Sequence, residues 1–140
     1  MKNNPVSLHH VGYLVKNLEE SKLAFEKMGL MTTKDKTFDP DRKVDICFLG
    51  IGSQEIELVS PRKDSGIYPL LKRYNNVPYH TCYIVKDMGE AINELTKKGF
   101  LLIEEPSRAL AISEDARVAF LMNARIGIVE LLQFVIGNGA

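Results

Sequence analysis

One phrase occurs twice in this chain, and that repetition restricts its fold more than any other feature. Leu8-His9-His10-Val11-Gly12-Tyr13-Leu14-Val15-Lys16 returns as Pro78-Tyr79-His80-Thr81-Cys82-Tyr83-Ile84-Val85-Lys86. His10 and His80, Tyr13 and Tyr83, Val15 and Val85, and Gly29 and Gly99 each stand 70 positions apart in a chain of 140. A sequence that repeats at half its length is best explained as an internal duplication. A histidine then occupies the same local position in each half.

Local patterning gives both halves the same order of elements. Residues 6–15 are rich in β-formers and apolar on both faces, which predicts a largely buried strand. Asn17 followed by Glu20 is a capping-box pattern. The helix it opens carries Leu18, Phe25 and Met28 on one face, and Gly29 closes it. Residues 30–38 read as a strand, and Asp39-Pro40-Asp41-Arg42 as a turn. Residues 43–49 and 54–59 read as strands paired across Gly50-Ile51-Gly52-Ser53. The second half repeats this: a strand over 79–85, then a helix capped by Asp87 and Glu90. Met88, Ala91, Ile92 and Leu95 form its apolar face, and Gly99 ends it. A strand over 100–104, a loop over 106–115 and strands over 118–122 and 127–134 complete the half. The expectation is one domain over residues 1–140, built from modules 6–61 and 78–135. Residues 62–77 connect them and contain a short helix from about Tyr68 to Tyr74.

Composition removes several functions. Eighteen basic residues against eighteen acidic ones leave no net charge to attract nucleic acid or an anionic membrane. No apolar run is long enough to span a bilayer, and the polar start Met1-Lys2-Asn3-Asn4-Pro5 has no signal-peptide core behind it. Cys47 and Cys82 lie within apolar strand-like segments, as buried reduced thiols of a cytoplasmic protein do. The cytoplasm is therefore the expected compartment.

The halves also match at their ends. Ile56-Glu57-Leu58-Val59 closes the first and Val129-Glu130-Leu131-Leu132 the second. Glu130 shares its strand face with Ile128 and Leu132, and a carboxylate in such company costs several kcal/mol to bury unless paired or cation-bound. Glu57 is less constrained, since Glu55 shares its face. A lone strand histidine is usually a structural hydrogen-bonder. Two histidines and two glutamates at equivalent places differ: modules paired about a pseudo-twofold axis would converge them. Imidazole and carboxylate ligands suit one divalent ion, and Zn, Ni, Co, Mn and Fe all remain open. His9 points to the other strand face and reads as structural.

The doubled His-strand-helix phrase and the paired Glu-Leu strands resemble the vicinal oxygen chelate superfamily, from about Leu8 to Phe134. That family includes glyoxalase I, methylmalonyl-CoA epimerase, extradiol dioxygenases and bleomycin-resistance proteins. The resemblance implies an α+β fold of two tandem βαβββ modules, forming an open curved mixed sheet around a metal site. It also implies His10, Glu57, His80 and Glu130 as the metal ligands, and a homodimer. Leu8-His9-His10-Val11-Gly12, Val15-Lys16-Asn17-Leu18-Glu19-Glu20 and Ile56-Glu57-Leu58-Val59-Ser60-Pro61 look most like methylmalonyl-CoA epimerase. Residues 107–112 and 123–126 depart from it, and Lys43 stands where a glycine is expected.

The expected chemistry is proton transfer next to a carbonyl through an enolate, on a thioester or hemithioacetal. Glu130 is the favoured base, with Asp41 a candidate for a second. Return of the proton to the opposite face is epimerisation, and return to the neighbouring carbon is the lactoylglutathione lyase (glyoxalase I) isomerisation. Arg62, Lys63, Lys72 and Arg73 are candidates for contacts to coenzyme A phosphates. An extradiol-type dioxygenase using His10, His80 and Glu130, and a non-enzymatic ligand-binding module, are the alternatives.

Overall fold

The computed structural model describes residues 5–135. In chain order they form β1 (Ser7–Leu14), α1 (Leu18–Lys27), β2 (Met31–Asp39), β3 (Val44–Ile51) and β4 (Gln54–Pro61). A single 3-10 turn (Tyr68–Leu70) runs into α2 (Leu71–Tyr74). Then come β5 (Val77–Ile84), α3 (Met88–Lys97), β6 (Leu101–Arg108), β7 (Ala116–Asn123) and β8 (Gly127–Phe134). Strand, helix, strand, strand, strand occurs twice, in the order that the sequence predicts.

Local chemistry sets the helix ends. Asn17 Oδ1 accepts the Glu20 N–H at 3.0 Å, and Asp87 Oδ1 accepts the Glu90 N–H at 2.9 Å. Each satisfies one of the N–H groups that the first helical turn leaves without an intrahelical partner. Beyond the helices, Gly29 and Gly99 take φ of +105° and +98°. In that region a Cβ is penalised.

The chain divides into two compact units. In the unit His10–Tyr79, β1 runs parallel to β4, which is antiparallel to β3, which is antiparallel to β2. Parallel neighbours need a crossover connection, and the segment containing α1 supplies it. Helix α1 and its flanks cover one sheet face, where Val15, Leu18, Leu30, Cys47, Leu49 and Leu58 are buried together. The second unit contains residues 80–135 and residues 5–9. There β5 runs parallel to β8, followed by antiparallel β7 and β6. Helix α3 covers the equivalent face, with Val85, Met88, Ala91, Ala119, Leu121, Val129 and Leu131 buried. Burial of each large apolar side chain stabilises by roughly 1.5–3 kcal/mol, so these helix faces are a main source of stability in each unit. The Val6 N–H donates to the Ile84 carbonyl at 2.7 Å within the second unit. The hydrogen-bonded strand orders are β2-β3-β4-β1 in the first unit and β5-β8-β7-β6 in the second, each mixing parallel and antiparallel pairs. No helix among the described residues is long and apolar enough to cross a membrane.

The structure departs from the sequence expectation at three places. Met28 is 72% exposed rather than on the buried face of α1, because the helix ends at Lys27 and Met28 is its C-cap. Gly50 is not a turn residue. Pairing continues to Ile51 and Gln54, leaving Gly52-Ser53 as the turn, with Gly52 at φ +58°. Gly50 lies inside β3, where a Cβ would come within 2.9 Å of the Thr33 methyl. Strand β6 runs through Pro106 to Arg108, over residues expected to form a loop. It is the last strand in the order, and its register slips between Glu104 and Ser107. A residue without an N–H is tolerated at such an edge and bulge.

Candidate functional site

Register brings a histidine and a glutamate together in each unit. In the first, Gly12 of β1 stands opposite Glu57 of β4, and His10 lies two residues before Gly12 on the same face. His10 Nε2 is 3.2 Å from Glu57 Oε1. In the second, Cys82 of β5 stands opposite Glu130 of β8, with His80 two residues before it. His80 Nε2 is 3.1 Å from Glu130 Oε1. The same atoms meet at nearly the same distance in both.

All four residues are buried, none more than 5% exposed. Glu57, the less constrained of the two in sequence, is as buried as Glu130. Glu55, its neighbour on that face, is half-buried and accepts the Thr33 hydroxyl at 2.7 Å.

Two phenylalanines complete the pairs. Phe48 of β3 stands opposite Glu57, and its ring meets His10 edge-on at 5.5 Å. Phe120 of β7 stands opposite Glu130 and meets His80 edge-on at 5.6 Å. These rings fix the imidazole planes and fill apolar space beside them. The repeat carried the signal for both, since Phe48-Leu49 returns as Phe120-Leu121, but sequence reasoning singled out only charged and titratable side chains.

The donor chemistry fits a metal. At this separation an imidazole nitrogen faces a carboxylate either as an N–H donor or with both lone pairs turned on one cation. Nitrogen and oxygen ligands about 2.0–2.2 Å from an ion, at tetrahedral to right angles, lie roughly 2.9–3.6 Å apart. Both pairs fall within that interval.

The remaining candidates lie elsewhere in the first unit. Asp41 is exposed on the β2–β3 turn, where its N–H donates to Asp39 Oδ1 at 2.9 Å. Arg62 makes a fork to Asp45, with contacts of 3.0 and 3.4 Å, and its guanidinium lies 3.8 Å from the centre of the Phe38 ring. The hydrogen bond to Asp45 raises its pKa above the ordinary arginine value. Lys63, Lys72 and Arg73 are exposed along the connection. His9 is half-buried and meets Phe134 edge-on. Cys47 and Cys82 are buried and not joined in a disulfide, and burial pushes the Cys47 thiol up to about 12.

Residues 9–120 match the Glyoxalase/Bleomycin resistance protein/Dioxygenase superfamily, which is most of the chain. The chain belongs to this superfamily. Among its relatives is the uncharacterised protein YqjC of Bacillus subtilis (strain 168), 24% identical over 116 residues, 81% of each chain. The solved hypothetical protein BH1468 of Bacillus halodurans C-125 is 27% identical, with a TM-score of 0.77 over 90% of this chain and 92% of that one. Methylmalonyl-CoA epimerase of Mycobacterium tuberculosis is 20% identical, with a TM-score of 0.80 over 97% and 93% of the two chains. At that identity the likeness to the epimerase is one of fold. The superfamily includes metal-dependent enzymes of this kind.

Proposed function

We propose that the protein is a divalent-metal-dependent enzyme that moves a proton next to a carbonyl, in the manner of methylmalonyl-CoA epimerase. The observation that carries this reading is the matched pair of buried His–Glu contacts. In this reading His10, Glu57, His80 and Glu130 hold one ion together. The ion, when bound, supplies a Lewis acid for the charge that gathers on a carbonyl oxygen as the neighbouring carbon loses its proton. Glu130 accepts that proton and returns it, and its burial beside Phe120 and Leu132 excludes water that would compete for it. Asp41, the candidate for the opposite side of the substrate, is solvated on its turn. Thioester recognition falls to Lys63, Lys72 and Arg73 on the connection, with Arg62 held back by Asp45. The reading includes a cytoplasmic homodimer.

Purified protein incubated with methylmalonyl-CoA and a divalent metal in deuterated water tests the reaction. Exchange of the α-proton, lost in Glu130→Gln, is expected. No exchange above background rejects the epimerase form, and the hemithioacetal of methylglyoxal and glutathione then tests the isomerase form. Elemental analysis after gentle purification tests the site apart from the substrate. About one metal ion per chain is expected, and its loss in His10→Ala.

A further inference from the structure

The two units carry the same row of three cross-strand partners on their helix-covered faces, yet fill it with opposite chemistry. In the first unit the row is Phe38 of β2, Asp45 of β3 and Ser60 of β4. In the second it is Arg108 of β6, Arg117 of β7 and Gln133 of β8. Asp45 lies two residues before the buried Cys47, and Arg117 two residues before the buried Ala119, so each row lies on its helix side. That is the opposite face of β8 from Glu130.

The first row is closed within the chain. Arg62, two residues beyond Ser60, lies over Phe38 and forks to Asp45, so cation and carboxylate neutralise each other. Ser60 Oγ donates to the Lys16 carbonyl at the approach to α1. The second row has no such closure. The residue corresponding to Arg62 is Val135, two beyond Gln133. Two arginines face each other directly, a like-charge arrangement that destabilises a sheet. Arg117 makes one weak contact, from a guanidinium nitrogen to the Ala116 carbonyl at 3.5 Å. Among the described residues no carboxylate pairs with either guanidinium. Gln133 spends its oxygen on the Met88 N–H at the start of α3, at 2.8 Å. The NH₂ of that amide, on the strand beside Arg117, is another donor.

We propose that Arg108, Arg117 and Gln133 form an anion site, taking the phosphate of a small phosphate-bearing molecule on the face of the second unit away from His80 and Glu130. Two planar guanidinium forks and an amide on adjacent strands offer only donors, the arrangement that a tetrahedral oxyanion accepts from most completely. The ligand's charge replaces what Asp45 supplies in the first unit. The start of α3 adds positive potential beside the row.

The test is calorimetric titration of the full chain with inorganic phosphate and, separately, with adenosine diphosphate, at low ionic strength. Saturable binding is expected, at least tenfold weaker in Arg108→Gln and in Arg117→Gln and unchanged in Arg125→Gln. Equal affinity for the two ligands assigns the site to free phosphate, and tighter diphosphate binding to a nucleotide carrier. Val135→Glu places a carboxylate where the first unit has Arg62, and is expected to weaken phosphate binding while raising the melting temperature. Arg108 is exposed, so its variant is expected to fold, and melting curves verify this. Absence of saturation by both ligands, or undiminished binding in both arginine variants, overturns the proposal.

Discussion

Glu130→Gln separates a shared metal centre from two independent buried pairs. The substitution keeps the shape of the side chain and an oxygen that can accept from His80 Nε2, now 3.1 Å from the carboxylate, but removes the charge that a cation needs. Replacing the buried carboxylate by an amide also carries a stability cost of its own, separate from any bound metal. Comparing each variant with itself, with chelator and with metal, cancels that cost. For the wild-type chain, a free ion concentration 100 times the dissociation constant adds about 2.7 kcal/mol of stability. At about 2–4 °C per kcal/mol for a domain near this size, the melting temperature rises by roughly 5–11 °C. A hundredfold loss of affinity in Glu130→Gln leaves RT ln 2, about 0.4 kcal/mol, at the same ion concentration. Glu57→Gln loses the same increment if one ion takes both pairs. The assay is thermal denaturation followed by circular dichroism, with Zn, Ni, Co, Mn and Fe in turn. A wild-type chain that gains nothing from any of them refutes the reasoning, as does a Glu57→Gln variant that keeps the full gain while Glu130→Gln loses it.

Three further outcomes follow from the packing. Gly50→Ala puts a Cβ within 2.9 Å of Thr33 Cγ2, and Thr33 is held by its hydroxyl bond to Glu55. A loss of about 1–3 kcal/mol in denaturant unfolding is expected, and Thr33→Ser, which removes that methyl, restores most of it. Lys43 takes φ +57°, the strain of which a glycine does not feel, so Lys43→Gly gains about 0.5–1 kcal/mol while Lys43→Val loses stability. Its exposed ion pair with Asp64 contributes little against this. Burial pushes the Cys47 thiol up to about 12 in the folded chain, whereas the unfolded thiol ionises near 9.0. Between those values the unfolded state is favoured as pH rises, so Cys47→Ala flattens the alkaline fall in stability. At neutral pH, iodoacetamide labels Cys47 only after unfolding, as mass spectrometry would report.

Much of this protein is legible in its sequence because local backbone chemistry repeats. Asn17 and Glu20, Asp87 and Glu90, and Gly29 and Gly99 act through atoms a few residues away, so their roles are written where they stand. The duplicated His and Glu positions are legible for a related reason: a repeat reports equivalence without any knowledge of what touches what. Other features are decided by partners distant in sequence. Gly50 reads as a turn residue until pairing with β2 brings Thr33 against it, and Pro106 reads as a loop until β6 becomes an edge strand. Phe48 and Phe120 look like ordinary core residues until register sets them against the histidines.

The sequence by itself determined that there are two like modules, where their helices begin and end, and which four side chains occupy matching places. Tertiary structure decided which neighbours those side chains meet. Parallel pairing of β1 with β4 and of β5 with β8 joins each histidine to its own glutamate, across 47 positions in one unit and 50 in the other. It also set Arg108 against Arg117 where the first unit sets Phe38 against Asp45. Hydrophobic patterning specifies which face of a strand is buried. Register then follows from the burial of those faces together, a property of the assembled sheet rather than of any one segment.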